Sequence, residues 1–140
     1  MQAILRQVEG LSLVGIADSL HTVAMDAPPT LGGLGGGSRP MELVLLGITG
    51  CAAMDVLAIL RKKRVPLTDF KVEVEAERSD EHPQKITNIV LHYIIIGRGI
   101  RTEEVEHAIE LTDQKYCGAI EMIRASVVVT HSFEIVKPEN

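Results

Sequence analysis

The stretch from Pro40 to Lys63, PMELVLLGITGCAAMDVLAILRKK, constrains this chain more than any other part of it. It begins directly behind a glycine-rich run, Gly32-Gly33-Leu34-Gly35-Gly36-Gly37. Proline suits a first helical turn, where its missing N–H would have had no partner. Arg61, Lys62, Lys63 and Arg64 suit the negative end of the helix dipole, and Pro66 limits continuation. About six turns fit between these signals. Leu43, Val44, Leu45, Leu46 and Ile48 are apolar almost all the way round, which predicts a buried helix rather than a surface one. Glu42, Asp55 and two glycines interrupt it, so it reads as too short and too broken for a membrane span. Cys51 falls at its centre. That thiol is either inert packing or the place where chemistry happens.

The bulk composition narrows the function classes. The length of 140 residues suits a single domain with a real core, and an apolar fraction of 46% with 24% charged residues is ordinary for a globular protein. With no Trp, two Phe and two Tyr, the core must be built from Leu, Ile and Val. A formal charge of -5 argues against general affinity for nucleic acid or anionic membranes. The N-terminal residues lack the charged and apolar blocks of a secretory signal. The cytoplasm is therefore the expected compartment, where two cysteines stay reduced.

Ala3 to Val8 and Leu11 to Ile16 read as strands split at Glu9-Gly10, and a third runs from Leu20 to Met25. Asp26-Ala27-Pro28-Pro29-Thr30 cannot continue a central strand. Phe70, Val72, Val74 and Ala76 alternate with charged residues as a half-exposed strand, and Ile86 to Ile96 is a more apolar one. Thr102 with Glu103 and Glu104 predicts a capped helix start. Tyr116-Cys117-Gly118 breaks that helix, Ala119 to Ile123 resumes it, and Ser126 to Val136 is a last strand. The order βββ-α-ββ-α-α-β is an α+β arrangement, a mostly antiparallel sheet with helices on one side. One sheet covers only one side of an apolar helix, so a second copy of the chain is the natural cover for the rest.

Cys51 and Cys117 lie 66 positions apart. They are either two buried small hydrophobes or a nucleophile with its resolving partner. A thiolate at Cys51 needs a cation from outside its own helix, whereas Cys117 lies close to a helix start whose N–H groups could favour its thiolate. Asp55, four residues beyond Cys51, would hinder thiolate formation if it pointed at the sulfur. The glycine run lacks the Lys-Ser/Thr ending of a phosphate loop and reads as a flexible lip. Histidines at 21, 82, 92, 107 and 131 show no metal-ligand spacing and no C-x-x-C occurs, so no metal site is expected. Glu42 suits the helix dipole, or alternatively orders an arginine. His92 reads as a hydrogen-bonded core or interface histidine.

Asp26-Ala27-Pro28-Pro29, Gly32-Gly33, Pro40-Met41-Glu42-Leu43, Gly50-Cys51 and Lys115-Tyr116-Cys117 together resemble the OsmC/Ohr family over nearly the whole chain. They are most similar to its branch of uncharacterised bacterial OsmC-like proteins. The resemblance implies mostly antiparallel sheets packed on two long central helices of an intertwined homodimer, with sites at the subunit interface. It also implies a thiol peroxidase for organic hydroperoxides that uses no metal or flavin. Cys51 matches the peroxidatic cysteine and Cys117 the resolving one, with an external dithiol as reductant. The family's activating arginine has Arg6 and Arg39 as its nearest candidates here, and the acid that orients it falls at Met41, beside Glu42. A redox sensor or an apolar-ligand-binding dimer on the same fold is the alternative.

Overall fold

The computed structural model describes residues 1–139 and has the α+β composition expected. The chain divides into two compact units, Met1–Leu46 and Gly47–Asn140. The first holds strands β1 (Ala3–Glu9), β2 (Ser12–Ala17) and β3 (Thr22–Met25), joined as an antiparallel sheet in that order. Gly10, at φ +56°, supplies the left-handed residue that the first hairpin needs. Every residue of β1 is exposed, Ile4, Leu5 and Val8 included, and no apolar side chain among residues 1–46 is buried. Three strands without a buried face are not independently stable.

The glycine-rich loop is pinned rather than loose, contrary to its reading as a flexible lip. The Asp26 carboxylate is buried and accepts backbone N–H bonds from Ala27 at 2.7 Å, Gly36 at 3.1 Å and Leu34 at 3.2 Å. Burial alone would raise its pKa, but these donors and the Arg39 charge hold it below the usual value. Glycine is required at Gly33 because a Cβ there would lie 1.9 Å from the Ala27 carbonyl oxygen.

The long helix α1 spans Pro40–Lys62. Its N-terminus is closed by Glu42, whose carboxylate accepts the Arg39 backbone N–H at 2.9 Å, the N3 half of a capping box. At the other end Arg64 takes φ +57°, Val65 N–H reaches Leu60 O at 3.0 Å and Arg64 N–H reaches Arg61 O at 3.0 Å. This is a Schellman closure with arginine where glycine is usual. The helix is buried less than its composition predicts. Ile48, Thr49, Ala52, Val56 and Leu60 are buried, but Leu46 is 59% and Met54 72% exposed, and Val44 is also exposed. Apolar residues all round a helix cannot all be covered from one side. Its length and apolar composition also meet those of a membrane-crossing helix, so the exclusion on length does not hold. The face carrying Ala52, Val56 and Leu60 is that of a core helix, fully inaccessible in the protomer.

The second unit is built on strands β4 (Leu67–Arg78), β5 (Ile86–Gly97) and β6 (Val128–Val136), ordered β4-β5-β6. The β4–β5 pair is a long antiparallel hairpin, whereas β6 runs parallel to β5 with Tyr93 opposite Phe133. The helical crossover between β5 and β6 dictates this direction. There are thus two three-stranded sheets, the plural that the family resemblance implies, rather than the single sheet that the element order alone suggests. On β5, Ile89, Leu91, Tyr93 and Ile95 are fully buried and join Val105, Ala108 and Ile120 from the crossover helices in the core. Those helices are α2 (Thr102–Leu111) and α3 (Gly118–Ile123), separated by a π-helical turn at Thr112–Tyr116. Thr102 is not the cap that its hydroxyl suggests. Arg101 occupies the capping position without a side-chain cap bond, and its guanidinium instead bonds Glu104 at 2.9 Å.

Candidate active site

Cys51 and Asp55 stand one turn apart on α1, so their side chains share a face. Cys117 reaches the same place from the crossover. The π-turn inserts one residue before it, and its backbone N–H closes a bond to Thr112 O at 2.9 Å. Such turns re-aim a single side chain and recur at functional positions. The Thr112 hydroxyl, itself fully buried, donates to Ala108 O at 2.9 Å and steadies the turn. The Sγ atoms of Cys51 and Cys117 and a carboxylate oxygen of Asp55 all lie within 4.8 Å of one another. Both cysteines are free thiols.

The two sulfurs are not equivalent. Cys51 is half-buried, whereas Cys117 is only 3% exposed. Burial pushes the Cys117 thiol up to about 11, although the N–H groups of Ile120 and Ala119 pull the other way, and the neighbouring Cys51 raises it further. The expected benefit of the helix start to a Cys117 thiolate is therefore present and outweighed by desolvation. Cys117 keeps its proton and can donate it toward the Cys51 sulfur. Asp55 Oδ2 is buried without a hydrogen-bond partner among the described residues. No sequence spacing announced this two-sulfur, one-carboxylate cluster, because one sulfur comes from 66 positions away.

Asp55 also faces a cavity of about 600 Å³, lined by Ala58, Ile59, Leu111 and Tyr116 with Lys62 and Lys63. Its walls are apolar in larger part, and its cations come from the helix end that reads in sequence as merely solvated.

Arg6, Arg39 and Glu42, also singled out from the sequence, lie in the N-terminal unit. Arg39 donates from Nη1 to Gly37 O at 3.1 Å, Glu42 serves the Arg39 backbone, and Arg6 stands on exposed β1 opposite Val14. The Glu42 bond is that of its helix-end reading. His92 is half-buried, with Nδ1 2.8 Å from the Ser132 hydroxyl, in line with its expected hydrogen-bonded role.

Sequence reasoning missed a polar chain behind Cys117. The Tyr93 hydroxyl lies 3.3 Å from His131 Nδ1, and the two rings stack with centroids 5.9 Å apart. His131 Nε2 lies 3.1 Å from Asp113 Oδ1, and Arg124 pairs with Asp113 and Glu121. Burial first, then the proximity of Cys117 and Asp113, pushes the Tyr93 phenol well above its ordinary range. The only signal in sequence would have been a Tyr and a His at inward positions of apolar strands.

Comparison with known proteins agrees with this fold. The sequence model of the OsmC-like protein family matches residues 33–132. The chain is 39% identical over 137 residues to Protein YhfA of Escherichia coli strain K12, covering 97% of this chain and 98% of that protein. A hypothetical protein from Aquifex aeolicus VF5 superposes with a TM-score of 0.86 at 26% identity, covering 99% of this chain and 97% of that one. An organic hydroperoxide resistance protein OsmC from Legionella pneumophila shares the fold, with a TM-score of 0.70 at 21% identity over 95% of both chains.

Proposed function

The chain belongs to the OsmC-like family, and from that premise we propose that it is a dithiol peroxidase that reduces organic hydroperoxides, with Cys51 as nucleophile and Cys117 as resolving thiol. The observation that carries this reading is the pair of free sulfurs within 4.8 Å, one accessible and one buried. The asymmetry supports the roles. The half-exposed Cys51 can meet a substrate, while the buried, proton-retaining Cys117 can wait for the product of that encounter.

In the first step the Cys51 sulfur attacks the terminal oxygen of the hydroperoxide. The O–O bond breaks, the alkoxide takes the thiol proton and leaves as an alcohol, and Cys51 becomes a sulfenic acid. The Cys117 sulfur then displaces hydroxide from the sulfenic sulfur, its proton leaves with that hydroxide as water, and a disulfide forms. A dithiol reductant restores both thiols by exchange and is itself oxidised. Closing from within 4.8 Å to a bond of about 2.05 Å would take side-chain rotation at the two cysteines. Ala58, Ile59 and Leu111 in the cavity beside Asp55 would suit an organic substituent better than hydrogen peroxide. A relative of the same fold carries the name organic hydroperoxide resistance protein, which favours the same substrate class.

The functional form in this proposal is a homodimer of 140-residue OsmC-like domains in a reducing compartment, the cytoplasm. It is supported by the exposed apolar residues of α1 and by a β1–β3 sheet with no buried apolar side chain. Gly47, Cys51, Met54 and Ala58 recur at helical spacing, so the seam would carry the nucleophile. An activating arginine would be Arg6 or Arg39, with Glu42 in support. A second reading, a slow redox sensor, is favoured by the Asp55 carboxylate beside the thiols, which opposes thiolate formation.

The test is turnover of cumene hydroperoxide with a dithiol present. Cys51→Ser should lower it at least a hundredfold, and one equivalent of peroxide should convert wild type to an intramolecular disulfide. Unchanged turnover in Cys51→Ser removes the peroxidase, and disulfide formation without turnover leaves the sensor.

A further inference from the structure

Asp55 is the part of the site that peroxide chemistry leaves unexplained. A carboxylate beside two sulfurs repels a thiolate, and its buried Oδ2 has no hydrogen-bond partner among the described residues. A buried, unpaired acceptor is costly unless something else satisfies it. The donor set that this carboxylate joins is two thiols and one carboxylate oxygen, brought together from α1 and the crossover.

We propose that the reduced form of Cys51, Asp55 and Cys117 is a binding site for one thiophilic divalent cation of the Zn²⁺ class. Tetrahedral zinc with sulfur at about 2.3 Å and oxygen at about 2.0–2.2 Å places its donors roughly 3.5–3.8 Å apart. The three atoms, already within 4.8 Å, need to close by at most about 1.3 Å. Side-chain rotation supplies that. Three protein donors leave a fourth position, and Asp55 also lines the cavity of about 600 Å³, so water or an incoming ligand can occupy it.

Binding displaces the thiol protons of Cys51 and Cys117. Two protons leave, two S–metal bonds and one O–metal bond form, and no electron moves. The cation turns the role of Asp55 around. A charge that opposes thiolates in the free site becomes a ligand that balances the ion's own positive charge. The metal-loaded and disulfide states exclude each other, because both use the same sulfur electron pairs. Oxidation by a hydroperoxide, which takes up two protons from solvent and forms the disulfide, an alcohol and water, therefore releases the ion. The cation protects the reduced thiols and is not a catalyst.

The experiment titrates the reduced, chelator-treated full-length protein with Co²⁺ under anaerobic conditions. Wild type should bind one ion per chain, with sulfur-to-cobalt charge-transfer absorption and the visible bands of a tetrahedral site. Zn²⁺ should bleach them. Asp55→Asn should weaken Co²⁺ binding at least tenfold while far-ultraviolet circular dichroism stays unchanged. Cys51→Ser should lower the charge-transfer intensity by about half, which serves if Asp55→Asn does not fold. The disulfide form should bind none. Missing charge-transfer bands in wild type overturn the site, as does Asp55→Asn binding as tightly as wild type. Peroxide turnover is measured separately on metal-free protein. Cobalt bands without turnover keep this site and remove the peroxidase, and turnover without bands does the reverse.

Discussion

His131 Nε2 and Asp113 Oδ1 lie 3.1 Å apart, joining strand β6 to the turn that delivers Cys117. With Asp113 as acceptor, His131 carries its proton on Nε2, which leaves Nδ1 to accept from the Tyr93 hydroxyl. The same carboxylate takes Arg124 on its other oxygen. One side chain therefore orders a strand, a turn and a helix around the buried sulfur.

Asp113→Asn should consequently cost more than an exposed substitution. The amide can keep only part of this network, and half-buried polar partners are left unmatched. A loss of about 1–3 kcal/mol is expected, read as a lower urea midpoint with an unchanged slope. An unfolding curve superimposable on wild type would reduce the chain to surface decoration.

Cys117 should report its burial through pH. With its thiol pushed up to about 11, mainly by desolvation, it should alkylate slowly at neutral pH and accelerate only well above the ordinary thiol range. In Cys51→Ser the contribution of the neighbouring sulfur is gone. The midpoint should then fall below that of wild type yet stay above the ordinary value. The sign for stability follows from proton counting. Between the unfolded and folded values the unfolded chain binds fewer protons, so this thiol destabilises the fold progressively from about pH 9 to 11. Iodoacetamide kinetics against pH measure the first effect, and thermal midpoints across the same range measure the second. A midpoint near the free-thiol value would mean that Cys117 is open to solvent.

The parts of this molecule written in local chemistry were legible in the sequence. Pro40 and the basic run after Leu60 bracket α1 to within a residue, and the charged alternation from Phe70 to Glu77 marks β4. The two cysteines stood out through their motifs, yet their proximity is a tertiary fact. Asp55 was visible only as a possible hindrance, because an i+4 neighbour shows its meaning once a third donor arrives. Tyr93, His131 and Asp113 were invisible, since strand pairing and the π-turn bring them together. The apolar girth of α1 predicted burial without saying what does the burying. The protomer covers one face and leaves Leu46 and Met54 open.

Arg64 offers a stabilising substitution. It occupies the left-handed position of the Schellman closure at φ +57°, where an L side chain crowds its own backbone. Its position past the helix end makes any dipole benefit small. Arg64→Gly should therefore raise stability by about 1 kcal/mol, less a few tenths for the added freedom of the unfolded chain. Chemical denaturation checks this, and a destabilised variant would show that the arginine makes a contact worth more than the strain.

The exposed side of α1 tests the proposed assembly. Met54 is 72% exposed beside a stripe of small residues that would let a second helix approach closely. Burying a methionine contributes about 1.5–3 kcal/mol, and a symmetric seam counts it twice. Met54→Glu removes that contribution and adds facing like charges, so self-association should weaken by roughly a hundredfold or more. Light scattering behind size exclusion should show wild type at twice the mass of one chain and Met54→Glu shifting to the single-chain mass on dilution. Asp80→Asn, in the polar β4–β5 turn, serves as the control that should not shift. A wild type that stays monomeric at micromolar concentration would break the dimer proposal, and with it the placement of Cys51 at a subunit seam.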